Sequence, residues 1–189
     1  MAKQLKGGYT TGACLAAGAK AGAMIMQGED PGDRVDIVAL DGTPLQIPIA
    51  SVELLAHGVK VEIIKDAGDD PDTTNGILVY ASIQKTNEPG IIVDGGIGVG
   101  RVTKAGLSQK IGEAAINPVP KAMILREVSE IAEKYDYEGG LKIVISVPEG
   151  VEIGKKTFNP RLGIVGGISI LGTSGIVEPM SEAALVQSI

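Results

Sequence analysis

The sequence predicts an α+β fold in which a mixed sheet packs against a few helices. Two segments have helical patterns, at residues 12–27 and 121–134, while several shorter segments have strand patterns. Two of those strand segments flank a hairpin signal, and hairpin strands combined with a few helices are typical of this class. At 189 residues, 44% of them apolar, the chain is long enough to bury one sizeable core. We therefore expect residues 1–189 to form a single α+β domain.

The composition excludes several classes of function. Cys14 and His57 are the only cysteine and the only histidine, so an intramolecular disulfide and a Cys- or His-based metal site are ruled out, and no metal site is expected. The net charge is −6 and only 3% of residues are aromatic. Nucleic-acid binding is not expected, because it needs clustered cations and stacking rings.

The chain carries no signal for a membrane or for secretion. Residues 1–6 are not followed by the apolar stretch of a signal peptide, and no apolar run approaches the ~20 residues of a membrane span. A cytoplasmic protein is the expectation. The sequence leaves open whether the chain forms a homo-oligomer.

The first predicted helix is a buried one. Thr10 and Thr11 precede it, and threonine is an accepted N-cap. Residues 12–27 are rich in alanine and apolar nearly all round, which is typical of a helix inside a core. Gly28 fits the helix end. Cys14 is therefore interpreted as a small buried apolar residue rather than a nucleophile.

Strand patterns dominate the next part of the chain. Residues 35–40 and 45–49 flank an Asp-Gly pair and predict a hairpin. Residues 59–64 alternate with a period of two, and residues 77–83 resume strand character. His57, just before a strand, is interpreted as a loop or core histidine rather than a catalyst.

The later elements are a helix, a strand and a helix start. An Asn-Pro-Val-Pro motif at 117–120 introduces the helix at 121–134. Residues 141–147 form a continuous apolar run, which predicts a buried strand. Ser181 with Glu182 reads as the beginning of a last helix.

An aspartate-rich loop follows the strand at 59–64. It has four aspartates between residues 66 and 72. One interpretation is a carboxylate cluster that binds a cation or deprotonates a substrate, because like charges this close raise each other's pKa. The spacing does not match a calcium loop. The alternative is a solvated turn, since Asp, Gly, Pro and Asn are all turn formers.

A glycine-rich segment at 95–100 resembles a phosphate loop only superficially, because it does not satisfy G-x-G-x-x-G. Its backbone N–H groups, with Arg101 and Lys104, would suit an anion. The alternative is a tight turn or close packing. A second near-match at 150–157 lacks one residue of the Walker A spacing, so nucleotide binding is disfavoured there. A phosphate-handling enzyme is a rival reading.

Five blocks of sequence together give a more specific indication. In their order along the chain, they resemble the cobalt-precorrin-5B C1-methyltransferase family of anaerobic cobalamin biosynthesis. The resemblance covers nearly the whole chain. The blocks lie at residues 8–14, 65–76, 95–107, 115–121 and 158–181.

The resemblance implies a fold and a reaction. It implies a domain similar to a circularly permuted ribosomal protein S5 domain 2-like fold. Family members continue past the Glu-Pro-Met-Ser block at 178–181 into a further α/β domain, so we expect this chain to correspond to the N-terminal domain alone. The implied methyl donor is S-adenosylmethionine. The implied acceptor is a cobalt-bound, ring-contracted tetrapyrrole, methylated at C1 to give cobalt-precorrin-6A.

The polycarboxylate nature of that substrate leads to candidate site residues. Cations near the site would pair with its carboxylates. The candidate partners are Lys65, Arg101, Lys104, Lys121 and Arg161, with Thr10, Thr11 and Asn159 as lesser polar candidates. Asp69 and Asp70 are the candidates for proton handling. The alternative function is a tetrapyrrole-binding domain without activity of its own.

Overall fold

A computed structural model describes residues 5–172 and 174–179, and it confirms the α+β class. The helix expected from Ser181 lies outside the described residues. The helices are α1 Thr11–Met26, α2 Pro118–Lys134, α3 Gly150–Lys155 and α4 Asn159–Leu162. The strands are β1 Gly8–Tyr9, β2 Arg34–Val38, β3 Pro44–Pro48, β4 Ser51–Leu55, β5 Gly58–Ile64, β6 Leu78–Thr86, β7 Gly90–Gly95, β8 Gly98–Val99, β9 Arg101–Val102, β10 Gly140–Ser146, β11 Ile164–Val165, β12 Gly167–Ile168 and β13 Ile176–Val177.

The centre of the fold is a mixed sheet in the order β4-β5-β6-β10-β7. Strand β10 runs antiparallel to β6 and parallel to β7, with Ile143 opposite both Ile83 and Val93. Buried and more exposed residues alternate along β5 and β6, as the period of two in the sequence predicts. The alternation shows that one face of the sheet forms the core.

Helices α1 and α2 pack against each other, with α1 against β5 and β6 and α2 against β7. Helix α1 is buried from Thr11 to Ala23 except at Lys20, as its composition predicts. The Thr10 side chain accepts a hydrogen bond from Ala13 N at 3.1 Å, which makes Thr10 the N-cap. The buried face of α2 carries Met123, Ile124, Val128 and Ile131. These apolar contacts supply most of the core.

The predicted hairpin is present as the antiparallel pair β2–β3. A buried carboxylate from α2 attaches it to the helices. Glu127 is 1% exposed, and its Oε1 accepts a hydrogen bond from Val38 N at 3.0 Å. Its Oε2 lies 2.9 Å from Lys20 Nζ on α1, a charge–charge contact without hydrogen-bond geometry. Glu127 thus joins α1, α2 and β2.

The remaining elements are short and form one end of the molecule. There β8 pairs with β12, β9 with β11, and β1 with β13. The glycine-rich segment makes this packing close: a Cβ on Gly98 would lie 1.7 Å from the carbonyl oxygen of Val147, and its φ of +75° favours glycine. Within the described ranges, no helix is long and apolar enough to cross a membrane.

Candidate functional site

A cleft of about 550 Å³ lies between the start of α1, the aspartate-rich loop and the α3–α4 segment. This volume is within the ~300–1,000 Å³ typical of small-molecule sites. Its lining combines hydroxyls, one ion pair and apolar side chains. The lining residues are Thr10, Thr11, Lys65, Asp72, Thr73, Thr74, Ile153, Thr157, Phe158, Asn159, Ile168, Ser169, Leu171, Gly172 and Val177.

The strongest electrostatic feature of the cleft is a buried lysine. Lys65 is 3% exposed, and its ammonium forms an ion pair with Asp72 and a hydrogen bond to Thr74 Oγ1. Thr74 also donates to Asp72 from its backbone N at 2.9 Å and its hydroxyl at 2.8 Å. Desolvation raises the pKa of Asp72, but the hydrogen bonds from Lys65 and Thr74 together outweigh it and hold the pKa below its ordinary value. Asp72 is therefore a fixed negative charge at the cleft.

The other aspartates of the loop have different tasks. Asp66 Oδ2 lies 3.0 Å from Lys6 Nζ, and Asp69 Oδ2 accepts from the backbone N of Lys6 at 2.7 Å. Both carboxylates thus fasten the N-terminal segment to the loop. Neither Asp69 nor Asp70 lines the cleft, so their role in proton handling stays a prediction. Asp72 is the aspartate that lines the cleft. Nothing in the sequence distinguishes it from the other three aspartates of the loop.

The opposite wall consists of α3, α4 and the turn between them. Asn159 lines the cleft as predicted, and Phe158, which the sequence did not single out, lines it with 73% of its surface exposed. Arg161 lies one helical turn further, with its Cζ 5.7 Å from the Phe158 ring centroid. Arg161 itself lines an adjoining concavity rather than the cleft.

Three of the predicted cations lie away from the cleft. Arg101 and Lys121 line a separate concavity of about 210 Å³. The guanidinium of Arg101 is already engaged, 2.8 Å from Asp94 Oδ1 and hydrogen-bonded to Gly95 O at 2.8 Å. Lys104 is exposed, and its side chain runs over Gly163 at the end of α4. The structure thus groups Thr10, Thr11, Lys65 and Asn159, and separates the other cations from them.

The glycine-rich segment serves packing. The N–H of Gly96 donates to Ile145 O at 2.7 Å, and the N–H of Gly100 donates to Ile168 O at 2.9 Å. The N–H of Gly95 is likewise taken by the Asp94 carboxylate at 2.8 Å. These donors are unavailable to an anion, which removes the support for a phosphate loop.

The remaining reactive side chains, Cys14 and His57, do not line the cleft. Cys14 is fully buried, and burial raises the pKa of its thiol to about 12, so the reactive thiolate is not accessible. His57 lies exposed in the turn between β4 and β5. Cys14 is thus a small buried residue and His57 a loop residue, as the sequence predicts. Among the described residues, no group of three or more His, Cys, Asp or Glu side chains is arranged to hold a metal ion.

The fold and cleft together define an α+β protein with a cleft of small-molecule size between a helix N-terminus, a polar loop and a short helical wall. The chain belongs to the CbiD family, whose model matches residues 1–179. This confirms the resemblance found in the sequence.

Curated relatives agree with this assignment. The chain is 53% identical over 99% of its length to a protein of Ruminiclostridium cellulolyticum named cobalt-precorrin-5B C(1)-methyltransferase, and covers 48% of that protein. It is 48% identical to the protein of that name from Geobacillus kaustophilus, with 99% of the chain and 50% of the relative covered. The chain thus spans about half the length of the curated relatives it matches.

A solved structure supports the fold. A 1.9 Å crystal structure of the cobalamin biosynthesis protein cbiD from Archaeoglobus fulgidus aligns with a TM-score of 0.72 at 34% identity. The alignment covers 97% of this chain and 57% of the crystallised one. The circular permutation and the single-domain boundary at 1–189 stay predictions.

Proposed function

We propose that this chain provides the N-terminal part of an enzyme that methylates C1 of cobalt-precorrin-5B with S-adenosylmethionine, giving cobalt-precorrin-6A. The acceptor and the methylated position are taken from the name of the matched relatives. The methyl donor and the product are those that the family resemblance implies. One structural observation carries the proposal: three of the five blocks behind the resemblance meet in one cleft. The first block contributes Thr10 and Thr11, and the last contributes Phe158 and Asn159. The aspartate-rich loop contributes Lys65, Asp72, Thr73 and Thr74.

The cleft suits the proposed methyl donor. Its volume of about 550 Å³ fits a nucleoside-sized ligand. Thr10 and Thr73 offer hydroxyls for ribose and amino-acid groups, and Asp72 offers a carboxylate to a cation. A bound S-adenosylmethionine supplies a methyl group that is already strongly electrophilic. The main task of the protein is then to hold donor and acceptor in line.

Side chains of the cleft would provide that alignment. Ile153 and Ile168 form an apolar part of the cleft wall, which would exclude water from the reacting centres. In the proposed reaction, a carbon–sulfur bond breaks, a carbon–carbon bond forms at C1, and a proton leaves the macrocycle. Asp69 and Asp70 are the proposed acceptors of that proton. Arg101, Lys104, Lys121 and Arg161 are proposed partners for carboxylates that extend beyond the cleft.

A ligand titration tests the proposal. Purified chain is titrated by calorimetry with S-adenosylmethionine, with cobyrinic acid as a cobalt-corrinoid polyacid, and with ATP. Binding of the first two and not of ATP is the expected result. A matched Asn159→Asp variant adds a negative charge to the cleft wall and should weaken binding of the polyacid. Binding of ATP alone would overturn the proposal in favour of a phosphate-handling protein. The cytoplasmic location expected from the sequence is part of the proposal.

A second candidate is a tetrapyrrole-binding domain without catalytic activity of its own. It is favoured by the fact that the chain spans about half of its relatives. In the same titration, this candidate predicts binding of cobyrinic acid and no binding of S-adenosylmethionine. Methyl transfer by the chain, followed by mass spectrometry of the corrinoid product, would exclude it.

A further inference from the structure

The cleft continues into a second concavity on its helical wall. This basin, the α3–α4 basin, has a volume of about 350 Å³. It shares Thr157 and Phe158 with the cleft, so the two concavities form one continuous surface. The residues that line the basin are Lys155, Lys156, Thr157, Phe158, Pro160 and Arg161.

The basin carries uncompensated positive charge. Lys156 and Arg161 are exposed, and neither has a carboxylate within ion-pair distance among residues 5–172 and 174–179. Lys155 is different, because its Nζ lies 2.7 Å from Glu152 Oε1. Lys104 extends this positive surface, since its side chain runs over Gly163 just beyond α4. Among these cations, Lys156 and Arg161 are the ones in the basin available to an anionic ligand.

The opposite side of the cleft has the reverse sign. Asp72 lines it, and Asp66, Asp69 and Asp70 precede Asp72 in the same loop. A polyanion that entered the cleft from this side would meet like charges. A polyanion that approached from the basin would meet Lys156 and Arg161. The charge pattern therefore favours the entry of a polyanion from the basin side of the cleft.

The basin also exposes an aromatic ring. Phe158 is the only phenylalanine of the chain and keeps 73% of its surface in water. An exposed ring beside a cleft is suited to packing against a flat, apolar ligand face. An adjacent ring and guanidinium recognise a planar molecule with an anionic edge, and Arg161 lies 5.7 Å from the Phe158 centroid.

We propose that the α3–α4 basin binds the carboxylate-bearing edge of a planar tetrapyrrole, with Lys156 and Arg161 on its carboxylates and Phe158 against its face. This inference rests on the proposed function and names the recognition site for its acceptor. A tetrapyrrole with its side chains is larger than a nucleoside-sized ligand, so it extends beyond the cleft. With its acidic edge in the basin, the reacting part of the ring faces the cleft and the donor.

Two probes of the same shape and different charge test this inference. The first is cobyrinic acid, whose side chains end in carboxylates, and the second is cobinamide, whose side chains are amides. Binding of each to the chain is measured by absorbance titration at several salt concentrations. The variants are Lys156→Met with Arg161→Met, and Phe158→Ala. The control is Lys110→Met with Arg34→Met, which removes the same charge from exposed cations that line neither the cleft nor the basin.

The expected results separate charge from shape. The double basin variant should bind cobyrinic acid about tenfold more weakly, with a smaller salt dependence, and bind cobinamide as before. Phe158→Ala should weaken both probes by a similar factor, and the control should change neither.

Two outcomes would overturn the inference in different ways. If the unaltered chain binds cobyrinic acid and the basin variant binds it equally well, the basin is not the site, and the proposed function stands. If the unaltered chain binds neither corrinoid, the proposed function fails, and the assignment of the basin fails with it.

Discussion

Within the described residues, two ion pairs join a lysine to a carboxylate with one of the two side chains buried. The buried member differs between the two pairs. In the pair beneath the hairpin, the carboxylate is buried: the Glu127 side chain is 1% exposed and Lys20 is 17% exposed. In the pair at the cleft, the lysine is buried: Lys65 is 3% exposed and Asp72 is 25% exposed. The member that stays in contact with solvent is a cation in the first and an anion in the second.

The difference separates a structural pair from a pair that faces a ligand. Glu127 also accepts hydrogen bonds from Val38 N and from Arg126 Nη2, both at 3.0 Å. All of its polar contacts therefore serve to join three elements of the fold. The partner of Lys65 lines the cleft, where its charge is presented to whatever enters. Burial of an ion pair therefore does not by itself indicate function. The informative feature is which member of the pair, the cation or the anion, stays in contact with solvent.

The largest expected effect comes from the structural pair. Glu127→Gln keeps an acceptor for Val38 N but removes the charge that balances Lys20 and Arg126. The free energy of unfolding should fall by about 2 kcal/mol, because the hydrogen bonds to Oε1 are no longer charge-assisted and the Lys20 ammonium loses its counter-charge. Urea denaturation measures it, with Glu130→Gln on the exposed side of α2 as the matched control. If Glu127→Gln lowered ligand affinity and left stability unchanged, this pair would be the one that serves binding, contrary to our assignment.

Disruption of the cleft pair should affect ligand affinity more than stability. Lys65→Met leaves Asp72 with its bonds from Thr74 and partial solvent contact, so the loss of stability should be about 1 kcal/mol. Affinity for cobyrinic acid should fall several-fold, because the cleft loses its positive charge. The same substitution in the other pair, Lys20→Met, is the control and should leave affinity unchanged. Equal affinity of the two variants would show that Lys65 is structural as well.

Acid titration sharpens the comparison further, with a smaller effect. The pKa of Asp72 lies below its ordinary value of 3.8 in the folded chain. Its contribution to stability is therefore present above about pH 4 and is lost as the pH falls through the lowered pKa. Other carboxylates titrate in the same range, so the difference between unaltered chain and Lys65→Met carries the information. That difference in unfolding free energy should shrink below about pH 4; a constant difference would contradict the coupling of Lys65 to Asp72.

The smallest effect is expected from an ion pair near the surface. Arg101 and Asp94 side chains are 42% and 40% exposed. Arg101→Met should lower the free energy of unfolding by about 0.5 kcal/mol, since water screens such pairs. The measurement is the same urea denaturation, with Arg34→Met on the exposed surface as the control for lost charge. A loss as large as that from Glu127→Gln would show that the exposure of an ion pair does not predict its contribution to stability in this molecule.

The sequence predicted those parts of the fold that are determined locally. Helix α1 follows from its alanines and the Thr10 cap, and the β2–β3 hairpin follows from its Asp-Gly turn. Helices α3 and α4 were missed because helices of six and four residues do not form without tertiary packing. Strand β4 was missed because apolar Val52 and Leu54 lie at 44% and 76% exposure on an edge strand, with no inside-outside contrast.

The candidate site was predicted in part. Thr10, Thr11, Lys65 and Asn159 lie together because each belongs to a block that also carries the family resemblance. The sequence does not indicate which aspartate of the loop points into the cleft, since that depends on how Lys6 engages Asp66 and Asp69. Nor does it indicate that Phe158 stays exposed, because a lone phenylalanine is ordinarily interpreted as core.

The pairing of β1 with β13 has a consequence for the order of assembly. It joins Gly8 to Val177, and Thr10 N also donates to Gly175 O at 3.0 Å. Closing a loop of this length carries an entropic cost, so we expect these bonds to form after the central sheet. Among the described elements, we then expect the wall of the cleft that Val177 completes to form late and to open readily. Hydrogen exchange of the β1–β13 amides should accordingly slow when the cleft is occupied.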